Sequence, residues 1–384
     1  MNQLAEKFSA YFDLAPAAGA AAPGRLEVLG NHTDYNEGFV LSCAVGQNTA
    51  IVVSPLPDTV CRVMDFRENR EMTFDLAAMD APPPRNGSAY IIGMMNEMRK
   101  RGCVFDHGFA AGLESSVPLS AGMSSSAALE TAAGFALGKL FNFSLDKAEW
   151  ARAGQGVENN FLGLKTGLLD QFSSIFGKRD AIIMSDFRTV EVIDTLPLAS
   201  GYVFVVINSM KKHHLVDSDY NVRRENCESA ARKLAAIHPG VSTLRDVTPA
   251  MLESAADKLS RMELLRARHV VNECDRVKAA AAILRAGDMK AFGRLLYASH
   301  ESSRVNFENS TPELDYLVEL SRSVPGCIGA RLSGGGFGGI SIHLVEAAAA
   351  KEYALRVCTA YKLRTGIDAE HFICSIGDGA KIFL

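Results

Sequence analysis

No two of the eight cysteines stand at metal-ligand or C-x-x-C spacing; Cys43, Cys61, Cys103, Cys227, Cys274, Cys327, Cys358 and Cys374 are scattered along 384 residues. That argues against a disulfide framework or a zinc site and predicts reduced, mostly buried thiols. No apolar run approaches the ~18 residues of a membrane span. The start of the chain, Leu4 to Phe12, is amphipathic and lacks a signal peptide's apolar core, so a cytoplasmic location is the expectation. Nor is there a basic tract: Lys+Arg of 40 against Asp+Glu of 44 gives a net charge of -4, which offers no surface to nucleic acid or membrane. Sequence repeats, low-complexity tails and disordered linkers are missing too. What remains, 48% hydrophobic and 22% charged, is an ordinary globular composition in a chain long enough for two domains with ample cores.

One stretch organises the rest, 118-PLSAGMSSSAALET-131. It sets small residues, Gly122 and three consecutive serines ahead of an alanine-rich helical run, and nothing in it is suited to fill a core. Backbone N–H groups around Gly122 can approach a ligand closely, and a helix starting near Ser125 would aim its positive end at the same place. Such a combination is a phosphate cradle whose serine hydroxyls can bind phosphate oxygen or a metal. Taken alone, the stretch also reads as an N-capped helix after a turn. It is neither a P-loop, since no Gly-Lys-Ser/Thr ends it, nor a dinucleotide fingerprint.

Ahead of it, 14-LAPAAGAAAPG-24 reads as a small-residue linker, followed by strands over Arg25 to Leu29 and Phe39 to Val45. Between these, Gly30, Asn31, His32, Thr33, Asp34, Tyr35 and Asn36 hold more hydrogen-bonding capacity than a turn needs. Presenting donors and acceptors to a polyhydroxylated ligand is one use for them, a solvated hairpin loop the other. His32 beside Asp34 has no second His or Cys at ligand spacing, which argues against a metal there. Further strands are expected within 48–77 and a helix over Tyr90 to Arg101. A later helix, about Leu145 to Leu162, carries Glu158 on its last turns, and a short helical segment opened by Gly167 holds Asp170. That carboxylate lies among Leu168, Leu169, Phe172 and Ile175, and a partly buried carboxylate needs a partner or a role. The run 202-YVFVVINS-209 reads as the first strand of a second, α+β domain, followed by a long helical stretch to Leu259 and more helix to Ser303. His213-His214 reads as a surface feature, and Arg223 and Arg224 as helix-surface ion pairs. Gly334 to Gly339, around Phe337, sets five glycines in six residues between two short strands within 329–345, a composition that marks close backbone approach to something.

Together and in this order, the stretches resemble the GHMP small-molecule kinases and, within them, the galactokinases. The run 24-GRLEVLGNHTDYNEGFVLSCA-44 is similar to the galactokinase sugar signature, the serine stretch to the family's nucleotide-phosphate motif, and 329-GARLSGGGFGG-339 to its glycine-rich third motif. Also similar are 158-ENNFLGLKTGLLDQ-171, 219-DYNVRRENCE-228, 299-SHESS-303 and 312-PELDYL-317, so the resemblance covers nearly the whole chain. It implies an α+β fold of two domains with the active site in the cleft between them. Residues 1–195 would hold a mixed sheet (ribosomal S5 domain 2-like) and 196–384 a ferredoxin-like antiparallel sheet. It implies ATP as co-substrate, Mg²⁺, and phosphoryl transfer to the anomeric hydroxyl of a galactose-configured sugar in carbohydrate metabolism. By the family pattern Ser120, Ala121, Gly122, Met123, Ser124, Ser125 and Ser126 would hold the ATP phosphates. Ser126 and Glu158 would hold Mg²⁺, an oxygen-only arrangement suited to a hard cation. Asp170 matches the base or orienting group for the sugar hydroxyl, and Arg25 the arginine that stabilises charge beside it. Asn31, His32, Asp34, Lys165, Gly167, Tyr220, Gly335 and Gly336 match or flank positions at the sugar.

At three places the chain departs from the galactokinase pattern. Asn31 stands where a Glu usually contacts the sugar's C-6 hydroxyl, Lys165-Thr166 stands where Pro-Cys is usual, and Gly87 replaces a Trp associated with adenine. The first two changes move the sugar site towards positive charge, and a unit charge at ~4 Å is worth about 4 kcal/mol at an effective dielectric of ~20. D-Galactose is the expected substrate. Galacturonate or another C-6 variant, such as arabinose, is the alternative, since GLKTGLLDQ is also similar to part of plant galacturonokinases. A non-catalytic sugar and ATP sensor is the reading from another class; the joint presence of Asp170, Arg25, Ser126 and Glu158 favours an enzyme. Monomer and homodimer are both open.

Overall fold

A computed structural model of the chain describes residues 2–84, 86–118, 122–211 and 216–384. Ser120 and Ala121 of the serine stretch, and the His213-His214 pair, lie outside the described residues. The chain opens with α1 (Asn2–Phe12), which lays Leu4 and Phe8 on the first sheet. Next comes β1 (Ala18–Leu29), every residue of which is buried. The segment expected to be a linker is therefore the first half of a strand. Its composition misleads because this strand is covered on both faces: Ala18, Ala20 and Ala22 pack into one core and Ala21 into another. Small side chains let the covering elements come close, and Pro23 falls at a register shift, where its missing N–H costs no regular ladder bond. Its partner β2 (Phe39–Pro55) runs unbroken through two expected strands and pairs with β1 from end to end.

The hairpin β3 (Val60–Asp65) and β4 (Arg70–Asp75) is followed by α2 (Ser88–Lys100) and β5 (Phe109–Ser115). β5 sits between β2 and β3, antiparallel to the first and parallel to the second, so the sheet is mixed. Three helices follow, α3 (Ser125–Leu140), α4 (Lys147–Gly156) and α5 (Leu169–Phe176), then β6 (Ala181–Asp186) on β2 and β7 (Glu191–Pro197) on β6. The second sheet begins at β8 (Tyr202–Asn208). After it come α6 (Val216–Ala235), α7 (Pro249–Ser254), α8 (Arg261–Arg285), α9 (Met289–Ser302), α10 (Pro312–Ser323), β9 (Cys327–Ser333), β10 (Ile340–Glu346), α11 (Ala350–Thr365) and β11 (Glu370–Cys374). Its strand order is β11-β8-β10-β9, antiparallel throughout. The helix expected to reach Leu259 stops at Ala235, because Pro239-Gly240 cannot continue it. The last strand, β12 (Lys381–Ile382), returns to β1. The chain crosses between the sheets after Pro197, and on this crossing we propose the division into 1–195 and 196–384, with β12 a returned strand.

One apolar core packs β1, β2, β3 and β5 against α2 to α5, through residues such as Ile51, Val63, Met94, Leu137 and Phe172. A second spans the two sheets: Leu26, Leu41 and Met184 meet Phe204, Phe292 and Ile342. Burying each such side chain contributes ~2–3 kcal/mol, and the shared core fixes how the two halves face each other. Met123, in the serine stretch thought unsuited to a core, is buried in this seam and anchors the loop. Behind the seam α9 lies directly on β9, and a Cβ at Gly293 would overlap the carbonyl of Ile328. Gly293→Ala is expected to lower stability by ~1–3 kcal/mol, read as an earlier midpoint in urea; an unchanged midpoint would contradict this backbone contact.

Candidate active site

β1 carries Arg25 into the seam, where its side chain is 7% exposed. Its Nε and Nη2 donate to Asp170 Oδ1 at 2.8 and 2.6 Å, and its Nη1 donates to the Gly122 carbonyl at 2.7 Å. Asp170 stands in the first turn of α5, whose Leu169, Phe172 and Ile175 face the core. The apolar neighbours seen in the sequence thus turn inward and leave the carboxylate at the cleft. Its other oxygen accepts from the Ser124 hydroxyl. Ser124 precedes α3 in the left-handed region, φ 54 and ψ 55, a conformation costing a serine ~1–3 kcal/mol. That strain aims its hydroxyl at Asp170 while Ser125 and Ser126 open the helix.

Ser126 Oγ lies 3.3 Å from Glu158 Oε1, and Thr166 Oγ1 donates to Glu158 Oε2 at 2.6 Å. Glu158 belongs to a single π-turn, Val157–Phe161, that continues α4 and turns it inward. Burial, then the charge of Asp170, push its carboxyl above the ordinary value. It forms no salt bridge among the described residues. Two oxygen donors around a buried anion without a counter-charge fit Mg²⁺. Deeper still, Glu130 accepts from Gln171 Nε2 at 2.9 Å. Burial, then the charges of Glu158 and Asp170, push the Glu130 carboxyl well above its ordinary value.

The polar loop between β1 and β2 spends much of its capacity on itself. Thr33 Oγ1 faces the Gly30 and Phe39 carbonyls, and Asn36 Nδ2 donates to the His32 carbonyl. From α8, Glu273 Oε1 accepts from the Gly30 and Asn31 amides and from Ser299. Burial opposes that charge, but Arg276 beside it wins and holds Glu273 down at about 2. His269 Nε2–H donates to the Asn31 carbonyl at 3.0 Å. His32, stacked on Phe307, donates from Nε2 to the Gly335 carbonyl and accepts the Tyr35 hydroxyl at Nδ1. Opposite, the glycine-rich loop turns through φ values of +83 at Gly334, +82 at Gly336 and +123 at Gly338, a path that glycine alone follows cheaply. Asn309 pins it, accepting from the Phe337 amide and donating to Gly335 O.

Two cavities meet at Arg25 and Asp170. The smaller, ≈ 170 Å³, is lined by these two with Glu27, Asn31, His32, Asp34, Gly167, Tyr220 and Gly335. A Cβ on Gly167 would overlap the Asp34 carboxylate, so glycine there is a packing requirement. The larger, ≈ 480 Å³, lies between Gly122, Met123, Ser124, Ser125 and Ser126 on one side and Gly335, Gly336 and their neighbours on the other. A third, ≈ 350 Å³, adjoins Ser125 and Ser126 and is walled by Gly87, Tyr90, Leu113 and Leu129. Lys165 lines none of them: its backbone turns the side chain outward, 3.5 Å from an equally exposed Glu225. Arg224 pairs with Glu228 as expected, whereas Arg223 caps the Phe307 and Glu308 carbonyls. Sequence reasoning missed Glu27, Thr166 and Asn309. For Glu27 a signal existed, since the two-residue period of a strand puts it on the face of Arg25.

Residues 6–55 match the galactokinase galactose-binding signature, 89–178 the GHMP kinases N terminal domain and 279–363 the GHMP kinases C terminal domain. A galactokinase of Actinobacillus pleuropneumoniae serotype 5b (strain L20) is 39% identical over 386 residues, 99% of each chain. The crystal structure of Lactococcus lactis galactokinase complexed with galactose superposes with a TM-score of 0.93 at 30% identity, over 99% of each chain. Methanococcus jannaschii mevalonate kinase, 19% identical across 94% of this chain and 98% of its own, shares the fold with a TM-score of 0.66.

Burial drives two imidazoles down, His32 within the loop between β1 and β2 to about 3 and His269 behind that loop to about 4. Unfolded, both titrate near ~6.5, so the unfolded chain binds protons that the native chain refuses. Their contribution is complete above pH ~6.5 and is lost as pH falls towards 4, by up to ~1.4 kcal/mol per pH unit for each. Because the raised carboxyls Glu130 and Glu158 tilt the total stability the other way, the check is on the rings themselves: the imidazole NMR signals of His32 and His269 should not titrate between pH 8 and 5, and titration near ~6.5 would mean that the two rings are solvated.

Proposed function

The chain belongs to the galactokinase family of the GHMP kinases, and we propose that it transfers the terminal phosphoryl group of ATP to the anomeric hydroxyl of D-galactose. It is a sugar kinase, a phosphotransferase with ATP and sugar as its small-molecule partners. The observation that carries the reading is the meeting of the two cavities at Asp170 and Arg25. A sugar in the smaller one and phosphates in the larger one approach each other across that pair. Phosphoryl transfer needs in-line positioning and charge stabilisation more than covalent help from the protein, and the two side chains supply both.

Asp170 holds the anomeric hydroxyl by accepting its hydrogen bond and takes its proton as the new O–P bond forms. Arg25, fixed by Asp170 and by Gly122 O, faces the phosphoryl group and stabilises its charge. The N–H groups at the start of α3 and the serine hydroxyls bind the phosphates, and the slot at Gly87 and Tyr90 takes the adenine. When bound, Mg²⁺ supplies neutralisation of phosphate charge, and Ser126 and Glu158 would hold it. The glycine-rich loop covers the junction and limits access of water. Galacturonate is not supported: the sugar cavity has Glu27, Asp34 and Asp170 around it, and the ammonium once expected of Lys165 is outside. All eight cysteines are free and six are buried, which supports a reducing, cytoplasmic setting. Among the described residues no helix is long and apolar enough to cross a membrane.

Asp170→Asn is expected to lower kcat by ~10²–10⁴-fold while galactose binding, followed by calorimetry, persists; an unchanged kcat would remove Asp170 from the reaction. Tight binding of galactose and ATP by the unaltered protein without turnover would make it a sensor instead. Glu130→Gln, which keeps the shape and removes the charge, should leave kcat within about threefold; a loss like that of Asp170→Asn would show that Glu130 works as an anion.

A further inference from the structure

We propose that Glu27, on β1 beneath the sugar cavity, is the carboxylate that accepts the C-6 hydroxyl of galactose, in place of the glutamate usual at position 31. The assignment rests on galactose being the substrate. Asn31 has nothing left to offer. Its Nδ2 donates to Glu27 Oε1 at 2.9 Å and to Gly334 O at 2.9 Å, while its Oδ1 accepts from Ser303 at 3.3 Å and Asn309 at 3.0 Å. An amide has two N–H donors and two lone pairs, and all four are used inside the protein.

Glu27 is the reverse. Oε1 takes both of its side-chain hydrogen bonds, from Asn31 and from Arg331 Nη2 at 2.8 Å. Among the described residues Oε2 has no protein partner, yet it is not among the sealed and unsatisfied atoms, as Glu130 Oε1 is. With the residue only 4% exposed and lining the sugar cavity, that remaining access opens onto the cavity. A buried carboxylate with a counter-ion beneath it and one free oxygen above is set to receive an O–H donor.

Position along the strand says which end of the sugar it meets. Arg25 and Glu27 share a face, two residues or ~7 Å apart. Arg25 is bonded to Asp170, where the anomeric hydroxyl is placed, so Glu27 lies near a pyranose length away, at the end that carries C-6. A carboxylate there welcomes a hydroxymethyl group and repels a sugar acid.

The test compares kcat/KM for galactose, 6-deoxygalactose and 4-deoxygalactose in the unaltered enzyme, in Glu27→Gln and in Glu27→Val/Arg331→Met. The double variant removes the buried pair together, so that neither charge is stranded. Thermal melting confirms that each is folded. The unaltered enzyme should lose about 10- to 150-fold on 6-deoxygalactose, chiefly in KM. In a folded variant that penalty should shrink to about threefold, with the 4-deoxy penalty unmoved. Equal use of galactose and 6-deoxygalactose by the unaltered enzyme would overturn the assignment, as would a folded variant that keeps the full 6-deoxy penalty. A change confined to 4-deoxygalactose would overturn the C-6 placement. Absence of galactose turnover in the unaltered enzyme would be a different failure, that of the proposed reaction.

Discussion

A guanidinium sealed in the seam of two sheets has to be met by charge, and Arg25 is met by Asp170. Taking either ion out of water costs several kcal/mol unless geometry and additional hydrogen bonds offset it. Arg25 answers that demand with a doubly donated contact to Asp170 and a third bond to the Gly122 carbonyl. Strand β1, helix α5 and the serine loop are far apart in sequence, and this one side chain brings them together. The strained Ser124 follows from it. Its left-handed backbone persists because Arg25 holds Gly122 from one side, buried Met123 holds the loop from below, and Asp170 takes the hydroxyl.

A second network stiffens the sugar side from behind. Glu273 gathers the amides of Gly30 and Asn31, His269 holds the Asn31 carbonyl, and Asn309 joins Asn31 to the glycine-rich loop. In a low dielectric each of these hydrogen bonds is electrostatically stronger than it would be in water. Here the members come from the loop after β1, α8, the turn after α9 and the loop before β10. The cleft wall is thus built by both domains, and the loops reach a ligand already placed, which lowers the entropy to be lost when the reaction geometry forms.

The sequence carried the outline because the motifs are local. The serine stretch before a helix, the glycine run between two strands and Asp170 among apolar residues each show their chemistry within a few positions, and α3, β9 and β10 fall where composition puts them. Two kinds of feature were hidden. Alanine in β1 looks like linker until the strand is seen to be covered on both faces, a tertiary fact that no local pattern contains. Glu273 and Asn309 act on residues more than two hundred positions away, so their roles exist only once α8 and the glycine-rich loop have closed on the sugar loop. Lys165 failed for the opposite reason. Its neighbours Thr166 and Gly167 are in the site, but adjacency in a loop says nothing about where a side chain points.

Position 31 shows why a motif read letter by letter can misjudge a pocket. Counting residue types, the change to Asn31 removes a negative charge from the sugar site and seems to invite a sugar acid. In space, the amide is hydrogen-bonded to a carboxylate four residues earlier, on β1, and that carboxylate sits over the fully buried Arg331. Arg25, which lines the pocket, and Arg331, buried beneath it, are therefore each met by one carboxyl group, Asp170 and Glu27, and burial pushes that of Glu27 above its ordinary value. Asp34, pressed against Gly167, adds a further carboxyl group that burial pushes above its ordinary value. A substrate carboxylate would enter a cavity whose cations are already spoken for. On the proposed reading only a neutral, hydroxyl-rich ligand gains from the oxygen atoms that remain open, and this charge balance, more than any one residue type, would select the sugar.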